Sequence, residues 1–152
     1  MSVFQTAGLV ARYDKKKALK LVEKLATYLE EKGLTVYVEE TLKGKVENQS
    51  FLPLENMETD FIITIGGDGT ILRTCIAIPK PDTPILAVNM GIRGFLTEVP
   101  PKDAFKAVDK CLKGEFKLER CRKLSVKIND MQAPDALNEV LIAVDEPVKL
   151  LY

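Results

Sequence analysis

Residues 61–70 read FIITIGGDGT, a run of apolar and β-branched residues from Phe61 to Ile65 that passes directly into Gly66, Gly67, Asp68, Gly69 and Thr70. A run of this kind suits a parallel strand covered on both faces. Helical apolar spacing follows from Thr70 to about Ile78, so the glycines form the turn between a buried strand and a helix. In open α/β sheets, ligands bind beyond the carboxyl ends of the strands. A turn entering a helix also offers unpaired N–H groups to an anion.

Working outward, residues 8–11 predict a short buried strand. Ala18, Val22, Leu25, Ala26 and Leu29 predict a helix over 15–32, stopped by Gly33. Residues 34–38 are β-branched and aromatic, hence a second strand, and 40–59 read as a polar connection with one turn near 51–54. After the glycine turn and its helix, Pro79, Pro81 and Pro84 break the chain before a strand at 85–89 and a loop at 90–100. A helix over 101–113 follows, with Ala104, Ala107, Val108, Cys111 and Leu112 on one face and Gly114 ending it. The alternation predicts an α/β fold, an open parallel Rossmann-like sheet with flanking helices. Residues 118–129 and 140–144 then alternate about an Asn129-Asp130 turn, as the first antiparallel strands of a truncated β-rich second domain. The expected division is 1–117, an α/β nucleotide-binding domain, and 118–152, the start of an incomplete β domain.

The 152 residues carry 22 Lys plus Arg against 22 Asp plus Glu, so no net charge draws the chain to nucleic acid or membrane. An anionic ligand must be held by local geometry. Histidine is absent, which leaves acid–base work to Asp, Glu, Lys, Tyr or Cys. Cys75, Cys111 and Cys121 form no C-x-x-C pair; they suit a reducing compartment and read as small buried hydrophobes. No signal-peptide core or membrane-length apolar run is present, so the expected location is cytoplasmic.

Three segments carry candidate chemistry. In GGDGT, Gly66, Gly67 and Gly69 let the backbone approach a phosphate and adopt positive φ if required. Asp68 among phosphate donors is a misfit unless it accepts a proton or helps hold a metal; the plain alternative is a helix cap. Arg73, one turn further on, either reaches a phosphate or ribose or is a solvated surface arginine. In 89–99, NMGIRGFLTEV, Phe95 either stacks on a base or packs as core. Asn138 and Glu139 bracket a ribose diol or an adenine edge, or else lie in water at a strand edge.

GGDGT at 66–70 with Leu72 and Arg73, NMGIRGFLTEV at 89–99, LERCRKL at 118–124 and ALNEVLI at 136–142 together resemble the NAD kinase family, from residue 8 to about 149. GGDGT alone also occurs in diacylglycerol, sphingosine and phosphofructokinase-type kinases. The GFLTE loop and the Asn-Glu pair in this order select NAD kinases. The resemblance implies transfer of the γ-phosphoryl of ATP, or of polyphosphate, to the 2′-hydroxyl of the adenosine ribose of NAD, with Mg²⁺ accompanying the donor. It implies Asp68 as proton acceptor and Gly66, Gly67, Gly69, Thr70, Leu72 and Arg73 around the nucleotide. It also implies Phe95 in the adenine pocket, Asn138 and Glu139 on NAD, Lys149 near the ligand, and a homo-oligomer at full length. Family members continue into a β-rich domain with a Gly- and Thr-rich motif that this chain lacks. A non-catalytic nucleotide-binding fragment therefore stands as the alternative reading.

Overall fold

In the computed structural model, which describes residues 3–91, 94–137 and 139–140, five strands form one parallel sheet. They are β1 (Thr6–Ala11), β2 (Thr35–Glu39), β3 (Phe51–Leu52), β4 (Phe61–Gly66) and β5 (Ile85–Asn89), in the order β3-β2-β1-β4-β5. Every pairing is parallel. Three helices accompany it: α1 (Lys16–Glu31), α2 (Asp68–Ala77) and α3 (Ala104–Leu112).

Residues alternate between two cores, as the period-2 geometry of strands requires. Leu9, Ala11, Phe61, Ile63 and Ile65 face one core together with Leu21, Val22, Leu25 and Leu29 of α1 and Ala104, Val108 and Leu112 of α3. Val10 and Ile62 face the other, with Leu54, Met57 and Ile78. All of β4 is buried, which is why its sequence is an uninterrupted apolar run. The expected α/β class, the α1 spacing and the stop at Gly33, where φ is +86°, all appear as read.

The 40–59 connection differs from the expectation. It contains 3-10 turns at Glu40–Leu42 and Leu54–Asn56, and the two-residue β3 pairs Val38 with Phe51 at the sheet edge. Two residues are too few to show periodicity. Among the cysteines, Cys75 and Cys111 are half-buried and Cys121 is exposed, so the reading of all three as buried hydrophobes fails most clearly at Cys121.

The chain divides into two units, Met1–Glu119 and Arg120–Tyr152. In the second, β6 (Leu124–Ile128) pairs antiparallel with β7 (Met131–Ala136) through a turn in which Asn129 has φ +53°. The first of these strands is shorter than the predicted 118–129. Its partner follows the turn directly, at 131–136; of the predicted 140–144 strand, only Val140 lies within the described residues. Pro134 inside β7 hid that strand from sequence reading, since proline removes a ladder donor.

The start of the sheet is tied by Asp60. Its Oδ2 accepts the N–H groups of Gln5 at 2.7 Å and Thr6 at 2.8 Å, while its own N–H donates to Thr6 Oγ1 at 2.9 Å. The Gln5 amide foremost, then that of Thr6, holds the Asp60 carboxyl below its ordinary value. A depressed folded-state pKa contributes stability above the unfolded value of about 4, lost as pH falls through the folded one. Urea midpoints of wild type and Asp60→Asn, compared from about pH 6 down to about pH 2, are therefore expected to converge on acidification; a constant difference would exclude this tether.

Candidate functional site

The strand order reverses between β1 and β4, because α1 carries the chain from β1 outward to β2 while β4 returns to the other side of β1. In a doubly wound sheet, the carboxyl ends of two such strands frame the ligand crevice. Here those ends are Ala11, followed by Arg12, and Gly66, followed by Gly67. A cavity of about 220 Å³ opens there, lined by Arg12, Gly67, Gly69, Thr70 and Arg73. A larger hollow of about 420 Å³ lies along the flank of α1, beside Phe105, and has neither a glycine turn nor an arginine. The smaller one has the chemistry.

The glycines of the turn do different jobs. A Cβ on Gly66 would meet Thr70 Oγ1 at 2.1 Å and Arg12 Cγ at 3.1 Å, so Gly66 is empty because Thr70 and Arg12 pack over it. A Cβ on Gly67 or on Gly69 would meet nothing within 4 Å. The fold leaves those two faces open, and they line the cavity. None of the three has positive φ, so close approach and not unusual dihedrals is what glycine supplies here.

Gly67 is the N-cap of α2 and Asp68 its first residue, with no side-chain cap bond. The plain reading of Asp68 as a helix cap therefore fails. Its carboxylate instead accepts the backbone N–H groups of Phe95, to Oδ2 at 2.9 Å, and Leu96, to Oδ1 at 3.1 Å. The loop that supplies them is pinned at its base: Met90 N–H donates to Gly66 O at 2.7 Å, and Asn89 N–H to Val99 O at 2.8 Å. The Phe95 side chain is fully exposed, so the expectation of a core phenylalanine is overturned; its amide, not its ring, holds the site together.

Arg73 is not a free surface arginine. Its Nη1 and Nη2 pair with both oxygens of Glu39, the Nη2–Oε2 bond being 2.8 Å, and the Glu39 side chain is 2% exposed. That hydrogen bond raises the Arg73 pKa above its ordinary value. Arg12 makes a matching pair: its Nε and Nη2 donate to the two oxygens of Asp14 at 2.9 and 2.6 Å. The Asp14 hydrogen bond raises the Arg12 pKa and in turn lowers that of Asp14. Sequence reading missed Arg12, Asp14 and Glu39. Their only local signal is a position at or just past a strand's carboxyl end.

Of the other residues expected in the site, Leu72 is half-buried on α2, and Glu139 is exposed in the second unit. Asn138 and Lys149 lie outside the described residues. Among the described residues no group of three or more His, Cys, Asp or Glu side chains could hold a metal ion, and no helix is long and apolar enough to cross a membrane.

The family profile described as the ATP-NAD kinase N-terminal domain matches residues 7–116. The NAD kinase of Methanothermobacter thermautotrophicus is 41% identical over 147 residues, 95% of this chain and 52% of that protein. The NAD kinase of Pyrococcus furiosus is 43% identical over 149 residues, 95% of this chain and 53% of the relative. The chain thus spans about half the length of these relatives. Among solved structures, yeast NADH kinase complexed with NADH superposes with a TM-score of 0.72 at 22% identity, over 86% of this chain and 45% of that one, a likeness of fold. An NAD kinase from Archaeoglobus fulgidus in complex with ATP gives a TM-score of 0.53 at 26% identity, over 85% and 45%.

The two kinds of glycine separate experimentally. Gly66→Ala is expected to lose about 1–3 kcal/mol of stability by overpacking. Gly67→Ala, at an extended φ of −121° and with nothing within 4 Å of the added Cβ, is expected to leave the Tm unchanged. Calorimetry on both variants checks the contrast; equal losses of stability would contradict it.

Proposed function

This chain belongs to the NAD kinase family, and on that premise we propose that it is the part of an NAD kinase that holds the phosphate donor and the proton acceptor. The reaction is transfer of the γ-phosphoryl of ATP, or of polyphosphate, to the 2′-hydroxyl of the adenosine ribose of NAD, giving NADP. The observation that carries this reading is the cavity at the strand-order reversal, where two open glycine faces and two guanidinium groups surround a space at the turn whose sequence carries Asp68. Identity of about 40% to NAD kinases over nearly the whole chain disfavours a lipid or sugar kinase that shares only the GGDGT turn.

In the proposed arrangement the oligophosphate lies over Gly67 and Gly69, with Thr70, Arg73 and Arg12 donating to its oxygens. Charge-assisted bonds from guanidinium to phosphate are among the strong ones. Asp68 takes the 2′-hydroxyl proton as the O2′–Pγ bond forms and the bond from Pγ to the bridging oxygen breaks, releasing ADP. A carboxylate has about four lone-pair positions, so the two amide bonds already present leave capacity for the ribose hydroxyl. Phosphoryl transfer depends chiefly on alignment and charge neutralisation. Mg²⁺ belongs to the donor as Mg-ATP, since magnesium is commonly held by phosphates and waters with few protein ligands. Asn138 and Glu139, with Lys149, are proposed to contact NAD, and Phe95 and Leu72 to border the nucleotide. Cysteines outside any disulfide suit work in the cytoplasm, and a homo-oligomer is proposed for the full-length protein.

The test is NADP formation from NAD and Mg-ATP by the full-length protein. Asp68→Asn is expected to lower kcat by about 10²–10⁴-fold while leaving the KM for NAD nearly unchanged. Turnover close to wild type would remove Asp68 from the chemistry. Arg12→Ala is expected instead to raise the KM for ATP about tenfold, consistent with loss of one charge-assisted hydrogen bond, and to spare the KM for NAD.

A further inference from the structure

Asp68 and the crown of the loop after β5 are joined more specifically than by hydrogen bonds alone. A Cβ built on Gly94 would stand 2.2 Å from Asp68 Oδ1, 2.6 Å from its Cγ and 2.8 Å from Oδ2. The carboxylate therefore lies directly on the Cα of Gly94, in the space a side chain would take. From there Oδ2 reaches the Phe95 amide and Oδ1 the Leu96 amide. Three consecutive residues thus fix the plane of one carboxylate: a bare Cα beneath it and two N–H groups at its oxygens.

We infer that Gly94 is a positioning residue, the seat that orients the Asp68 carboxylate for proton acceptance. The inference rests on the role of Asp68 proposed above. The group that must yield to a side chain at 94 is the far end of a short, rotatable aspartate and not backbone. Gly94→Ala consequently turns the carboxylate away without dismantling the loop, whose base is held by Met90 to Gly66 and by the bonds between β5 and Val99. Proton transfer requires the acceptor within hydrogen-bond reach, and a displacement near 1 Å is enough to lower the rate on the order of 10²-fold.

The test uses the full-length protein. Gly94→Ala is expected to lower kcat by about 10–100-fold, with KM for NAD and ATP within about twofold and the Tm nearly unchanged. In an Asp68→Asn background the same substitution is expected to cost no further rate, because the group it displaces has already lost its function. Losses that multiply would show that Gly94 acts on something other than Asp68 and overturn the inference. A second readout is independent of turnover. The amide proton resonances of Phe95 and Leu96, held downfield by a carboxylate acceptor, are expected to move upfield together in Gly94→Ala and in Asp68→Ala. If Gly94→Ala leaves them in place, the seat does not exist. If they move while Asp68→Asn retains full activity, the seat stands and the proposed role of Asp68 falls.

Discussion

The parallel pairing of β1 with β4 is the constraint from which the rest follows. It aligns Ala11 with Ile65, so the next residues, Arg12 and the two glycines, emerge side by side at the same end of the sheet. Because Leu9 and Ile63 face one core while Val10 and Ile62 face the other, a slip of one residue would exchange every buried contact between layers. The register that places Arg12 against Gly66 is thus set by hydrophobic burial. The chemistry at the strand ends takes its precision from a core that has no chemistry of its own.

The motif GGDGT, read as a single phosphate signature, divides into separate physical demands. Gly66 is bare for the benefit of Thr70 and Arg12, and Gly67 and Gly69 are bare toward open space. The first demand is internal packing, the second external access. Gly94, in a different segment, is bare for Asp68. The two loops that follow β4 and β5 are therefore complementary in shape, one offering a carboxylate and the other an empty Cα with two amides. That complementarity gives a reason for GGDGT and GFLTE to occur in one sequence, which neither motif provides alone.

The fold was legible wherever burial leaves a periodic trace. The run from Phe61 to Ile65, the apolar spacing of α1 and the glycines after α1 and α3 each encode an element locally. β3 was not legible, because two edge residues have no period, and β7 was masked by Pro134. The site was legible in its backbone and opaque in its partners. GGDGT announced the turn, yet Arg12 matters only because β4 lies next to β1, and Glu39 only because β2 ends one strand away. Strand order is a property of the whole sheet, so no window of sequence around Arg12 or Glu39 reveals it. Phe95 misled for another reason: its ring suggested packing or stacking, whereas its amide makes the contact and the ring is in solvent.

The two arginines of the crevice each arrive with a carboxylate, but their environments differ. Arg12 and Asp14 are both about half exposed, at 47% and 46%. An exposed pair of this kind contributes little, so in the proposed arrangement Arg12 would exchange Asp14 for a phosphate oxygen at little cost. Glu39 is 2% exposed and Arg73 is its ion-pair partner. Breaking that pair would strand a buried charge, at a cost of several kcal/mol. Arg73 is therefore held by Glu39 where it lines the cavity. In the proposed arrangement, Arg73 would set the position of an incoming anion and Arg12 would adapt to it. On the proposed reading, a neutral chain would hold a polyanion by such local contacts, without the long-range positive field it lacks.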